Sequence, residues 1–161
     1  MSHPGPVDPA ASAPVLMVTT QGGHLAQLLA LRDWWSQHET VWVAPATPDV
    51  VDRLAGQRVV TSYSPTTRSP WNLLRNTLLA VRTLRGHRPA LVVSAGAGVA
   101  VPFFVVAWLM RVPTVFIEVY DRVDSATMTG RLCGPFTTRQ VVQWPSQLES
   151  YPHATLVGPL L

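Results

Sequence analysis

The chain has 161 residues, 47% of them hydrophobic and only 13% charged, about half the charged share of an average soluble protein. This composition excludes a disordered or fibrous chain, and the length fits one domain. The single cysteine, Cys133, excludes a disulfide framework and a cysteine-based zinc site. The net charge of +3 comes without a dense basic stripe, so we expect no nucleic-acid partner.

Two segments of the chain could be a transmembrane helix or a secretory signal. The longest uncharged apolar run, residues 99–110, is shorter than the roughly twenty residues that span a bilayer, so we expect no transmembrane helix. Residues 1–13 lack the basic and apolar regions of a secretory signal. We therefore expect a cytoplasmic protein with a flexible tail at residues 1–13 and a single domain at residues 14–161.

Strand and helix patterns alternate along the chain. Apolar, β-branched runs predict five strands at residues 15–20, 40–44, 58–62, 90–94 and 113–119, with two weaker ones at 140–142 and 155–157. Helical periodicity predicts helices at residues 24–37, 48–54, 71–85 and 99–110, with Gly86 ending the third. Continuously apolar strands are buried on both faces, which predicts a Rossmann-like parallel sheet covered by helices on both sides.

Two glycine turns follow predicted strands at the edge where such sheets bind ligands. The first glycine turn, residues 20–24, contains Gly22 and Gly23, and the second, residues 94–98, contains Gly96 and Gly98. Each leads into a helix N-terminus, so the two could together cradle a diphosphate, or the glycines could only make tight turns. Neither turn is a GxGxxG, and no acidic residue ends the second strand, so we expect no dinucleotide cofactor.

Two ionisable residues at this edge are candidates for chemistry. His24 begins the first helix, where a neutral imidazole could act as a base, bind a phosphate or sugar, or simply cap the turn. Glu118 ends an apolar strand, where its carboxylate could take a proton from a sugar hydroxyl or form a buried ion pair with Arg122. No group of residues has the spacing of metal ligands, so we expect no metal.

The predicted helix at residues 71–85 has two distinct faces. Residues predicted to face the core are Leu73, Thr77, Ala80, Val81 and Leu84. Residues predicted to lie on an anionic membrane surface are Trp71, Arg75, Leu78, Arg82 and Arg85. The alternative for the outer face is a solvated charged surface combined with a protein contact.

Three segments carry a family resemblance. Residues 21–31 (QGGHLAQLLAL), 103–122 (FFVVAWLMRVPTVFIEVYDR) and 141–161 (VVQWPSQLESYPHATLVGPLL) closely resemble the PssD-type subunit of bacterial exopolysaccharide and capsule glycosyltransferases. The likeness covers nearly the whole chain. That family is similar to the eukaryotic acceptor-binding subunit of the dolichol-linked N-acetylglucosaminyltransferase and to the N-terminal half of MurG.

The resemblance implies the N-terminal half of a GT-B glycosyltransferase. The implied role is to bind a lipid-diphosphate-linked saccharide at the inner face of the plasma membrane and present it to a PssE-type donor-binding subunit in a heterodimer. By position, the implied acceptor-side residues are Gly22, Gly23, His24, Gly96, Gly98 and Glu118. The eukaryotic subunit has an N-terminal membrane anchor that is not seen here, so we expect attachment to be peripheral or through a partner.

A second hypothesis gives the chain no catalytic role. In it, the chain is a recruiting or stimulatory module that tethers a complete glycosyltransferase to the membrane. Replacing His24 or Glu118 would discriminate the two, because only a subunit that contributes to catalysis loses turnover while its complex stays intact. In either case residues 144–161, rich in aromatic residues, proline and leucine, are a candidate docking segment for the partner.

Overall fold

The computed structural model describes residues 13–66 and 68–161, so the predicted tail lies outside the described residues except for Ala13. Seven strands form one sheet in which all neighbouring pairs are parallel, in the order β3-β2-β1-β4-β5-β6-β7. The strands are β1 Val15–Val18, β2 Thr40–Ala44, β3 Arg58–Thr61, β4 Leu91–Ser94, β5 Thr114–Ile117, β6 Arg139–Val142 and β7 Thr155–Leu156. Both of the weaker strand predictions are thus confirmed.

Helices cover both faces of this sheet. They are α1 Gly23–Ala30, α2 Arg32–Trp35, α3 Pro48–Arg53, α4 Pro70–His87, α5 Ala100–Leu109 and α6 Met128–Cys133, with short 3-10 helices at Gly134–Phe136 and Pro145–Glu149. In β1, Leu16 and Val18 join the core cluster under α4 and α5, while Val15 and Met17 join the cluster under α1 and α3. The predicted Rossmann-like α/β fold is confirmed.

The helix boundaries differ from the prediction in two places. The helix predicted at residues 24–37 is split at Leu31, where the Trp35 indole N–H donates to the Leu28 carbonyl at 3.0 Å and satisfies the end of α1. Gly86 does not end α4, whose last residue is His87. The next residue, Arg88, leaves the helical conformation (φ 46°) because the proline that follows it disfavours that conformation. The sequence pattern did not predict α6 or either 3-10 helix.

The predicted core face of α4 is partly wrong. The buried positions of this helix are Asn72, Asn76, Ala80, Thr83 and Leu84. The two asparagines turn inward because each donates to a backbone carbonyl of the preceding loop at 2.9 Å, Asn72 to Pro65 and Asn76 to Tyr63.

Leu73 was predicted to be core but is 49% exposed. It lies in the first turn of α4, beyond the end of the packed core.

Among the helices of the described residues, none is both long and apolar enough to cross a bilayer.

Candidate functional site at the switch point of the sheet

The two glycine turns lie side by side at one edge of the sheet. Strand β1 pairs in parallel with β4, with Val18 opposite Ser94, so the turns that follow these strands leave the sheet together. The chain runs outward in opposite directions from this pair, to β2 and β3 on one side and to β5, β6 and β7 on the other. This is the topological switch point, where open α/β sheets bind their ligands.

His24 joins the two turns. Its Nδ1 lies 2.9 Å from the carbonyl oxygen of Ala95, and a carbonyl can only accept, so Nδ1 carries a proton. In the neutral ring, Nε2 is therefore the basic nitrogen. The ring lies over Gly96, where an added Cβ would be 3.2 Å from His24 Cε1. The structure thus brings His24 and Gly96 into direct contact. The sequences of the two separate turns could not predict this contact.

A cavity of about 430 Å³ opens beside His24. The lining residues are Gly23, His24, Gln27, Val119, Tyr120, Asp121, Arg122, Thr127 and Leu161. The cavity therefore combines an imidazole, a carboxylate and a guanidinium from two separate parts of the chain. Asp121 and Arg122 belong to the segment quoted for the family resemblance, but the sequence pattern considered Arg122 only as an ion-pair partner of Glu118 and gave Asp121 no individual role.

The first glycine turn is open toward solvent. A Cβ added at Gly22 or Gly23 would meet no atom within 4 Å. The Gly22 N–H (φ 73°) donates to the Asp49 carboxylate at 3.0 Å, and Asp49 also pairs with Arg53 at 2.9 Å. The N–H groups of Gly23 and His24 lie in the first turn of α1 and have no acceptor within the helix. They are free to meet an anion at the positive end of the helix.

The second glycine turn is filled by protein atoms. The Ser94 hydroxyl accepts from the Gly96 N–H and donates to the Gly96 carbonyl, both at 3.1 Å. A Cβ added at Gly98 would lie 3.0 Å from the carbonyl oxygen and from Oγ1 of Thr66. Gly98 therefore faces the loop before α4 and does not line the cavity beside His24.

Glu118 is fully buried and lies behind this cavity. Its carboxylate accepts from the Thr127 hydroxyl at 2.9 Å, from the Thr127 N–H at 3.3 Å, from its neighbour Val119 N–H at 3.1 Å, and from the Tyr151 hydroxyl. Among the described residues it forms no ion pair with Arg122. Burial, followed by the hydrogen bond to Glu118, raises the pKa of Tyr151.

Glu118 controls the start of α6 through Thr127. While the Thr127 hydroxyl donates to Glu118, its oxygen accepts from the Gly130 N–H at 3.0 Å and caps the helix. Nearby, burial and the negative charge of Glu118 raise the pKa of Cys133 to about 12. Because Thr127 also lines the cavity, the buried carboxylate is linked to the site through one side chain.

Three buried glutamines hold the cavity wall together. Gln143 Nε2 donates to Gln27 Oε1 at 2.6 Å and to the Glu118 carbonyl at 2.9 Å. Gln147 Nε2 donates to the carbonyls of Val119 and Arg122, at 3.1 and 2.6 Å. Gln143 belongs to the segment 141–161 quoted for the family resemblance. Its structural role could not be predicted from the sequence, because its hydrogen-bond partners lie far away along the chain.

The residues predicted for the membrane face lie together on the outer side of α4. Trp71 is 63% exposed and Leu78 is 53% exposed, and Arg75, Arg82 and Arg85 are exposed beside them. The Arg75 guanidinium lies over two rings, 4.8 Å from the centre of the Tyr63 ring and 5.7 Å from that of Trp71. The arrangement is an amphipathic surface in which cationic and apolar groups alternate.

The predicted docking segment, residues 144–161, contains both buried and exposed side chains. Gln147 is buried within it, whereas Leu156, Val157 and Leu161 are exposed. Leu161 reaches the cavity beside His24. The end of the segment therefore lies against the candidate site.

Comparison with known proteins identifies relatives of the chain. The family described as "Oligosaccharide biosynthesis protein Alg14 like" matches residues 51–160, more than half of the chain. The human protein named UDP-N-acetylglucosamine transferase subunit ALG14 is 27% identical over 117 residues, covering 69% of this chain and 53% of that protein. The Yarrowia lipolytica subunit of the same name is 30% identical over 89 residues, covering 52% and 41%. The chain spans about half the length of the curated relatives it matches.

Solved structures with the same fold include two kinds of enzyme. MurG from Acinetobacter baumannii superposes with a TM-score of 0.70 at 20% identity, covering 83% of this chain and 42% of MurG. UDP-N-acetylglucosamine 2-epimerase from Rickettsia bellii superposes with a TM-score of 0.72 at 9% identity, covering 92% and 45%. At these identities the likeness shows the fold alone.

Proposed function

Because this chain belongs to the Alg14-like family of oligosaccharide biosynthesis proteins, we propose that it is the acceptor-binding subunit of a two-component glycosyltransferase. It binds a lipid-diphosphate-linked saccharide and presents it to a partner subunit that holds the nucleotide sugar. The name of the relatives, UDP-N-acetylglucosamine transferase subunit, supports sugar transfer within a complex and makes UDP-N-acetylglucosamine the first donor to test.

The observation that carries this proposal is the position of His24. Its ring is held between the two glycine turns by the bond from Nδ1 to Ala95, and this bond leaves Nε2 as the basic nitrogen of the neutral ring. In the proposed reaction, an acceptor hydroxyl attacks the anomeric carbon of the donor sugar and passes its proton to Nε2. The nucleoside diphosphate leaves with the electron pair of the broken glycosidic bond.

Other groups at the cavity suit the anionic part of the acceptor. The N–H groups of Gly23 and His24 at the start of α1 favour a diphosphate, and Arg122 adds a positive charge to the cavity wall. Glu118, the other predicted catalytic residue, is buried behind Thr127. We therefore assign the proton transfer to His24.

The described residues form one Rossmann-like unit, and the GT-B resemblance implies a cleft between two. Because the relatives are named as transferase subunits, we assign the second unit to a separate PssE-type subunit, which makes the active enzyme a heterodimer. The bacterial resemblance of the sequence suits a role in exopolysaccharide or capsule biosynthesis.

Attachment to the inner face of the plasma membrane is assigned to α4. Each arginine near an anionic surface contributes about 1 kcal/mol, so Arg75, Arg82 and Arg85 together supply about 3 kcal/mol. The exposed side chains of Trp71 and Leu78 add apolar contact with the lipid. This surface is also what favours the second candidate, a module that only recruits a complete transferase to the membrane.

Reconstitution with the partner subunit separates the two candidates. We expect sugar transfer by the complex and none by this chain alone. His24→Ala lowers kcat by about 100-fold or more and leaves the KM for the donor nearly unchanged. His38→Ala, at an exposed histidine just before β2 and so at the opposite edge of the sheet, is the matched control. Full turnover by the His24→Ala complex would contradict the catalytic role and favour the recruiting module, and transfer by the isolated chain would refute both.

Sedimentation with anionic liposomes tests the α4 surface. Replacing Arg75, Arg82 and Arg85 with Gln releases the chain from the liposomes, and raising the salt concentration does the same, because both remove the electrostatic attraction. The matched control replaces three arginines outside α4, namely Arg32, Arg58 and Arg139. Equal sedimentation of the two triple variants would show that binding does not use α4.

A further inference from the structure

A second, larger cavity lies between the N-terminal ends of α4, α5 and α6. It has a volume of about 630 Å³ and runs as a groove along the protein surface. The apolar side chains that line it are Leu73, Val101, Met128 and Leu132. The candidate site beside His24 shares none of these residues, and neither the fold nor the proposed chemistry explains them.

The apolar walls of this groove are unusually exposed. Leu73 is 49% exposed, Leu132 is 52% exposed and Met128 is 78% exposed, although the three lie together on one surface. A cavity of several hundred Å³ with mostly apolar walls and a few polar groups has the character of a small-molecule site. Such a lining suits a largely apolar ligand.

The lining of the groove combines apolar side chains with a positive charge. Leu73 adjoins Trp71 and Leu74, which belong to the exposed amphipathic side of α4. Gly98, just before the start of α5, and Arg68 also line the groove. The groove thus lies beside the surface assigned to the membrane and carries a positive charge.

The second glycine turn separates the groove from the cavity beside His24. Gly98 lies on the groove side, against Thr66, and Gly96 lies under the ring of His24 on the cavity side. Only one residue stands between these two glycines. A molecule lying in the groove therefore reaches the catalytic cavity by crossing this turn.

We propose that the groove between α4, α5 and α6 holds the apolar chain of the lipid diphosphate acceptor. This inference rests on the proposed function and locates one part of its substrate. An acceptor has an apolar chain, an anionic link and a polar sugar, in that order. The groove supplies apolar walls and the charge of Arg68, the glycine turn lies at its edge, and the polar cavity with His24 lies on the other side of that turn.

Binding of soluble isoprenoid diphosphates to the full chain tests this proposal. The probes are inorganic diphosphate and geranyl, farnesyl and geranylgeranyl diphosphate below their aggregation limits, measured by calorimetry without liposomes. We expect affinity to rise with chain length, with geranylgeranyl diphosphate binding at least about tenfold more tightly than inorganic diphosphate, because each added unit buries apolar surface in the groove.

Two variants test whether the apolar walls of the groove contact the lipid chain. Leu132→Glu and Leu73→Glu place a charge in the apolar walls, and each weakens geranylgeranyl diphosphate about tenfold while inorganic diphosphate binds as before. Both positions are half-exposed, so the fold tolerates the change, which thermal unfolding verifies. Leu109→Glu, at a 66% exposed position at the far end of α5, is the matched control and leaves all affinities unchanged.

The outcomes separate this proposal from the proposed function. If inorganic diphosphate binds but affinity is independent of chain length, or if Leu132→Glu leaves lipid affinity unchanged, the groove proposal is overturned and the acceptor site stands. Loss of partner binding in Leu132→Glu without loss of lipid affinity would instead assign the groove to a protein contact. If neither the lipids nor inorganic diphosphate bind, the acceptor function itself fails.

Discussion

In the first glycine turn, a Cβ added at Gly23 meets open space, whereas in the second turn every added Cβ meets protein. At Gly96 the obstacle is His24, at 3.2 Å, and at Gly98 it is Thr66, at 3.0 Å. The same residue type therefore does two different things at one edge of the sheet. In the first turn it leaves space that a ligand can enter, and in the second it lets two parts of the chain approach closely enough to position His24.

Gly130, like the glycines of the second turn, has no room for a Cβ, and its substitution is expected to cause the largest loss of stability. An added Cβ would collide with the Tyr151 hydroxyl and the Glu118 carboxylate, so Gly130→Ala lowers the free energy of unfolding by about 3 kcal/mol. Urea unfolding measures this loss. Gly86→Ala, at a helical glycine where a Cβ meets nothing within 4 Å, is the matched control and does not lower the free energy of unfolding.

A second substitution tests whether the loss comes from this collision. Tyr151→Phe removes the hydroxyl nearest to the added methyl group, so the double variant recovers part of the stability lost in Gly130→Ala. Additive losses from the two changes would contradict the assignment.

Gly96→Ala is the next largest change. It forces a side chain into a backbone conformation with φ 106° and brings a methyl group against the ring of His24, so it costs about 2 kcal/mol of stability. Gly56→Ala has a similar φ, 80°, with open space around it and costs only about 1 kcal/mol. Equal losses in the two variants would show that contact with His24 adds nothing.

Gly98→Ala measures the effect of steric crowding alone, because the φ angle of Gly98 is not positive. The methyl group displaces Thr66, and we expect a loss of about 1 kcal/mol. A double-mutant cycle with Thr66→Gly measures the contact, with a coupling energy of about 0.5 kcal/mol or more because Thr66 Oγ1 and Cβ are removed. A coupling energy of zero would place the strain elsewhere in the loop.

Gly23→Ala has the smallest effect on stability and separates binding from folding. Alanine favours the helix and meets open space, so the free energy of unfolding changes by no more than about 0.5 kcal/mol. The methyl group enters the space assigned to the diphosphate, so the KM for the acceptor rises in the reconstituted complex while the KM for the donor does not. Gly86→Ala, an open position within α4, is the control without effect on either KM. An unchanged acceptor KM in Gly23→Ala would move the diphosphate away from this turn.

Local patterns predicted the strands and the edge of the sheet that carries the site. Strand β1 could be predicted as buried on both faces because every residue in its run VLMV is apolar. Both glycine turns were predicted at the ligand-binding edge of the sheet, but their adjacency depended on the pairing of β1 with β4, which the structure decided. His24 was predicted as a candidate on the same basis, from its place at the start of a helix after a buried strand.

The direction of each polar side chain was decided only by contacts distant in sequence. Glu118 directly follows β5, one residue beyond the end of the strand, and its carboxylate turns away from the cavity because Tyr151, 33 residues later, and Thr127, 9 residues later, donate to it. Asn72 turns inward to the preceding loop, and Leu73 is left exposed at the groove. Periodicity is a property of neighbours along the chain, so it determines the elements. Hydrogen bonding of buried polar groups depends on partners that only the folded chain brings together.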